Sequence, residues 1–87
     1  MDFEYNELKS KINKDKHGID FEQSQKIWED QMMLEVFLNF PDEDRYICIG
    51  KIDNKYWSTI ITYREKYVRI ISVRRARKKE IEHYENS

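Results

Sequence analysis

Tyr67-Val68-Arg69-Ile70-Ile71-Ser72-Val73-Arg74-Arg75-Ala76-Arg77 is the stretch on which the fold turns. Its first half is short and rich in β-branched residues, which predicts a strand over 67–73. From Arg74 the composition changes to good helix formers, which predicts a helix over about 74–85. Five of the six residues from Arg74 to Lys79 are basic. A core strand that feeds a basic helix fixes many cations on a rigid scaffold, as an anionic polymer or an acidic protein partner requires.

Outward from this stretch, the charge is unevenly spread. Residues 64–79 hold eight of the sixteen Lys and Arg but one of the seventeen acids, a net +7. The rest of the chain carries −8, so the overall charge of −1 hides a polarised molecule. On a helical wheel begun at Arg74, Arg74, Arg77, Ile81 and Tyr84 share one side, with Arg75 and Lys79 pointing away. Arg69, inside a strand, belongs on the open face of the sheet.

Upstream, four runs read as strands: 32–40, 45–52, 55–63 and 67–73. Short turns link them, at Asp42-Glu43-Asp44, Asp53-Asn54 and Arg64-Glu65-Lys66. Such spacing predicts a four-stranded antiparallel meander. Two N-terminal helices precede it. Asn6 caps the first, over about 7–17, where Leu8 and Ile12 form a narrow apolar stripe and Gly18 stops the helix. Asp20 and Gln23 form a capping box for the second, over about 21–30. Alternation at Asp2-Phe3-Glu4-Tyr5 allows a short N-terminal edge strand. The class is α+β, one domain over 1–87, with helices on one face of the sheet.

Much chemistry is disfavoured by composition. A single cysteine, Cys48, excludes an internal disulfide and reads as a small buried hydrophobe. No Cys/His spacing suits zinc, and the acidic Asp42–Asp44 turn reads as solvated. With only Gly18 and Gly50 there is no phosphate loop. The amino terminus is unlike a signal peptide and no apolar run approaches a membrane span, so the expected location is the cytoplasm. No cofactor is expected.

Phe3-Glu4-Tyr5, Lys16-His17-Gly18-Ile19-Asp20-Phe21-Glu22, Arg45-Tyr46-Ile47-Cys48-Ile49-Gly50 and Arg69-Ile70-Ile71-Ser72-Val73-Arg74-Arg75-Ala76, followed by Glu80 and Tyr84, together resemble the BrnT toxin family. The likeness runs over almost the whole chain. Tyr5, Asn6 and Val73 stand where the family usually has Trp, Asp and Ala. The resemblance implies a RelE-like fold and a ribonuclease toxin of a type II toxin–antitoxin system. It implies metal-free cleavage, in which the RNA's own 2′-hydroxyl attacks the adjacent phosphorus. It also implies a cognate BrnA-like antitoxin, an RNA substrate, and contact with operator DNA only through the antitoxin.

On that reading Arg64, Arg69 and Arg74 contact the phosphate and the transition state, because arginine presents a planar donor fork. His17 is the candidate general acid or base, with Tyr84 the second candidate. Arg45, Arg75, Lys16 and Lys78 bind flanking phosphates. The alternative is a non-catalytic basic module that binds an acidic protein or operator DNA. In such a module, loss of Arg69 would weaken binding and nothing else.

Overall fold

Two runs that look unrelated in sequence lie side by side: Asp2–Glu4 (β1) pairs in parallel with Tyr67–Arg75 (β5). The computed structural model describes all residues, Met1–Ser87. Between these strands the chain forms a helix at Glu7–His17 (α1), a 3₁₀ helix at Gln23–Glu29, and strands Leu34–Leu38 (β2), Arg45–Ile52 (β3) and Lys55–Arg64 (β4). A last helix, Lys78–Glu85 (α2), follows β5. The sheet order is β1-β5-β4-β3-β2.

The sheet is therefore five-stranded and mixed, which corrects the expected four-stranded antiparallel meander with two N-terminal helices. The meander leaves one edge of β5 open, and β1 occupies the first part of it, with Phe3 opposite Val68 and Glu4 opposite Arg69. Period-2 alternation marks a strand but carries no sign of whether its partner runs parallel. Phe3 locks the strand by packing edge-on against Trp28, with ring centroids 4.8 Å apart.

The second expected helix is a 3₁₀ helix. Its capping box forms: the Gln23 N–H donates to Asp20 Oδ1 at 2.7 Å and the Asp20 N–H donates to Gln23 Oε1 at 3.0 Å. Phe21, Ser24 and Ile27 then recur every three residues, and all three are buried. A three-residue repeat stacks on one side of a 3₁₀ helix, whereas an α-helix would rotate it away. This helix approaches β3 so closely that a Cβ on Gly50 would meet Ile27 Cγ1 at 2.7 Å. Glycine is the residue that permits the approach.

The first helix matches its expected ends. The Lys9 N–H donates to Asn6 Oδ1 at 2.9 Å, and Gly18 takes the left-handed φ of 78°. Its inner face does not match. Leu8 and Ile12 point to solvent, 67% and 53% exposed, while Ser10 and Asn13 are buried. Hydrogen bonds dock α1. Asn13 Nδ2 donates to the carbonyls of Val73 and Ile19, both at 2.8 Å, and its Oδ1 accepts from the Val73 N–H at 3.3 Å. Asn13 thus fills the open edge of β5 where three-residue β1 has ended. Leaving such buried backbone groups unpaired costs about 1–3 kcal/mol each, which is why a polar residue wins this position.

The helices lie on both faces of the sheet, a further correction. Phe21, Ile27, Cys48, Ile61, Val68, Ile70 and Val73 form the main core, under the 3₁₀ helix and beside α1. Ile47, Ile49 and Tyr84 form a smaller core on the opposite face, under α2. The last strand also runs further than expected. Arg74 pairs with Ser58 and Arg75 with Trp57, and α2 begins only at Lys78. Opposite Ile60 and Ile61 the β5 register slips, leaving Ile71 without a partner, as in a β-bulge.

Candidate nucleic-acid interface

Strand pairing sets Arg45 beside Thr62 and Thr62 beside Arg69, in one row across β3, β4 and β5. Arg64 lies two residues further along β4, on the same face by alternation. Arg45, Arg64 and Arg69 line one pocket of about 210 Å³, with Asn6, Lys9 and Glu43. Each guanidinium comes from a different strand, so the cluster is held by the sheet and not by a loop.

Two carboxylates face these cations. Glu43 Oε2 lies 3.1 Å from Arg45 Nε, and Glu43 Oε1 lies 3.5 Å from an Arg64 amino nitrogen. Glu4 lies 3.8 Å from Arg69, as the β1–β5 register requires. The turn bearing Glu43 is pinned by Thr62, whose hydroxyl donates to the Asp44 carbonyl at 2.7 Å. Phe40 supports Arg45 from below, with its ring centroid 4.6 Å from the guanidinium carbon. Three guanidinium groups against two carboxylates leave a net positive pocket, in which an incoming phosphate can bond to the guanidinium donors that those acids leave free. No three His, Cys, Asp or Glu side chains converge in the structure.

The other residues named from the sequence lie elsewhere. Arg74 makes a two-pronged ion pair with Glu80, both contacts at 2.8 Å. Glu80 also accepts from Ser58 at 2.9 Å and from the Arg77 N–H at 2.8 Å, tying the start of α2 to the sheet. His17 and Lys16 are exposed at the end of α1. The adjacent Gly18 lines a pocket with Asp53, Lys55 and Trp57, at the β3–β4 turn. Arg64 stands at the other end of β4, a strand about 30 Å long at the usual rise per residue. Tyr84 is buried and its hydroxyl donates to Asp30 Oδ2 at 2.7 Å. Burial first, and then the Asp30 carboxylate, push its phenol up to about 12. Arg75 is on the α1 face, over the Trp57 ring at 5.4 Å, and Lys78 is exposed as the first residue of α2.

Glu43, Lys9 and Asn6 line the pocket, with Glu4 and Thr62 beside it, and sequence reasoning assigned none of them there. The parity of Thr62 and Arg64 on one strand was a usable signal. The turn Asp42-Glu43-Asp44 looked solvated because its two arginine partners are supplied by separate strands.

The Glu80 pair makes stability depend on pH. Its hydrogen bonds from Arg74, opposed by burial and reinforced by the Arg77 N–H, lower the carboxyl from 4.5 to about 2. A carboxyl lowered in the folded state stabilises fully above its unfolded value, and that stabilisation fades as pH falls towards the folded value. The thermal midpoint should therefore fall between pH 4.5 and about 2. Glu80→Gln should lower the midpoint at neutral pH and flatten that acid slope; parallel pH profiles would remove Glu80 as its source.

No helix is long and apolar enough to cross a membrane. Compared with curated proteins, the chain matches none. Residues 5–80 match the family described as ribonuclease toxin, BrnT, of type II toxin-antitoxin system, and with that match over most of its length the chain belongs to the BrnT family.

Proposed function

We propose that the Arg45–Arg64–Arg69 pocket binds the scissile phosphate of RNA and promotes its cleavage without a metal ion. The observation that carries this is the convergence of three guanidinium groups from three strands in one pocket, two of them on Glu43 and the third beside Glu4. The 2′-hydroxyl oxygen bonds to phosphorus and the P–O5′ bond breaks. The products are a 2′,3′-cyclic phosphate and a 5′-hydroxyl. The arginines stabilise charge on the non-bridging oxygens and on the departing oxygen. Glu43, poised between Arg45 and Arg64, receives the 2′-hydroxyl proton, the role that residue type alone suggested for His17 or Tyr84, and solvent water gives the departing O5′ the proton that completes the 5′-hydroxyl. Arg74 acts through Glu80 as a positioning residue, and Arg75, Lys16 and Lys78 are left for more distant phosphates.

A type II toxin has an antitoxin partner, as the family description states. We place that partner over the Arg64–Lys79 surface, where Arg75, Arg77, Lys78 and Lys79 are exposed.

The binding half of this proposal is tested by titrating uncleavable 2′-deoxy RNA at several salt concentrations. Each phosphate contact releases counterions, so log affinity falls linearly with log salt. Arg45→Ala should reduce the magnitude of that slope by roughly 1. An unchanged slope would take Arg45 out of the phosphate site.

A further inference from the structure

β2 is the outermost strand of the sheet, and its free edge is only lightly defended. Between Leu34 and Leu38 there is no lysine, no proline and no bulge, and the one charge, Glu35, is held by the Tyr63 hydroxyl. Large apolar side chains collect along it: Met32 is 57% exposed, Val36 38%, Phe37 52% and Phe40 41%. Isolated exposed apolar residues are ordinary, but a row of them beside unpaired backbone groups marks a docking edge.

The sequence of this edge is self-complementary. Consider a second copy pairing antiparallel with β2, with the two-fold axis at Val36. Val36 then faces its own counterpart and Leu34 faces Leu38 of the other copy. Glu35 faces Phe37, and Met32 and Phe40, just beyond the two ends of the strand, come opposite each other. All five strand residues find partners and no like charges meet. Moving the axis to Glu35 would set two carboxylates face to face, a destabilising pair. Moving it to Phe37 would leave Leu34 with no strand residue opposite. Glu35 is also drawn towards its own sheet, accepting from the Tyr63 hydroxyl at 2.6 Å.

We propose that two copies of this chain associate through β2, in the register centred on Val36, to form one continuous ten-stranded sheet. Arg64 and Arg69 lie two and three strands away, but Leu38 pairs with Arg45 and Phe40 stacks on its guanidinium, so the seam borders the RNA pocket; association is read from mass alone, with no RNA present. A five-residue strand pair is a small interface, so the association depends on concentration.

The test is light scattering on the full chain across a dilution series, with cysteine trapping. The mass should rise from 10.8 kDa towards twice that value with concentration. Val36→Lys, which sets two ammonium groups opposite each other, should hold the protein at the monomer mass, whereas Val36→Thr should still associate. Val36→Cys should oxidise to a covalent dimer, because a residue on the axis meets itself within disulfide reach. Phe37→Cys should not, since its neighbour across the axis is Glu35. Cys48 will not interfere: it is buried, and burial, then Glu35, push its thiol up to about 12. A constant monomer mass at every concentration would overturn the proposal. So would a dimer that survives Val36→Lys, or crosslinking as fast at position 37 as at position 36.

Discussion

Arg69→Ala should lose RNA cleavage by about 10²–10³-fold, the usual effect of deleting one preorganised donor to a transition-state charge. The fold should survive, since the visible partner of Arg69 is Glu4, at 3.8 Å and partly exposed to solvent. Such pairs contribute about 1 kcal/mol or less. Arg64→Ala should behave in the same way, its guanidinium being more exposed still and 3.5 Å from Glu43. Arg69→Lys keeps the charge but not the planar fork, so it should recover only part of the rate. The assay is a single-turnover cleavage rate on purified protein, with circular dichroism as the control for folding. A folded Arg69→Ala protein that cuts RNA at the parental rate would remove Arg69 from the site. Arg74→Ala provides the contrast. Its loss strands Glu80 among Ser58 and the start of α2, so instability should appear before any specific catalytic defect.

How much of this was legible in the sequence depended on the range of the interaction. The Asn6 cap, the left-handed Gly18 and the Asp20–Gln23 capping box are contacts within a few residues, and each was readable from spacing. So were β3 and β4 and the Asp53-Asn54 turn. Both turn residues take positive φ, 50° and 68°, as a tight hairpin demands. The errors came from distant partners. The partner of β1 is more than sixty residues away, and nothing in Phe3 or Glu4 says that the partner runs parallel. Arg74 and Arg75 suit a helix by propensity, but pairing with Ser58 and Trp57 holds them in the strand.

The candidate site divides along the same line. That cations concentrate in one part of the chain could be read from the density of charge between Arg64 and Lys79. Which arginines meet could not, because the cluster depends on register. Arg45 lies outside the basic segment and reaches Arg69 only across Thr62. Arg74 lies inside the segment and is taken by Glu80. Leu8 and Ile12 show the converse hazard: their helical spacing is sound, yet Asn13 and Ser10 decide which side of α1 faces the sheet.

The most direct test of the chemistry is one cleavage gel. It compares an RNA with the same RNA carrying a single 2′-deoxy sugar on the 5′ side of the cut, each with and without a strong chelator. Attack by the 2′-hydroxyl needs that hydroxyl, a base and stabilisation of the phosphorane, and we assign the last two to Glu43 and the arginine pocket. Cleavage should persist in chelator, should yield a 2′,3′-cyclic phosphate, and should disappear at the deoxy position alone. Cutting that required magnesium, or that continued at the deoxy position, would contradict 2′-hydroxyl attack at the arginine pocket.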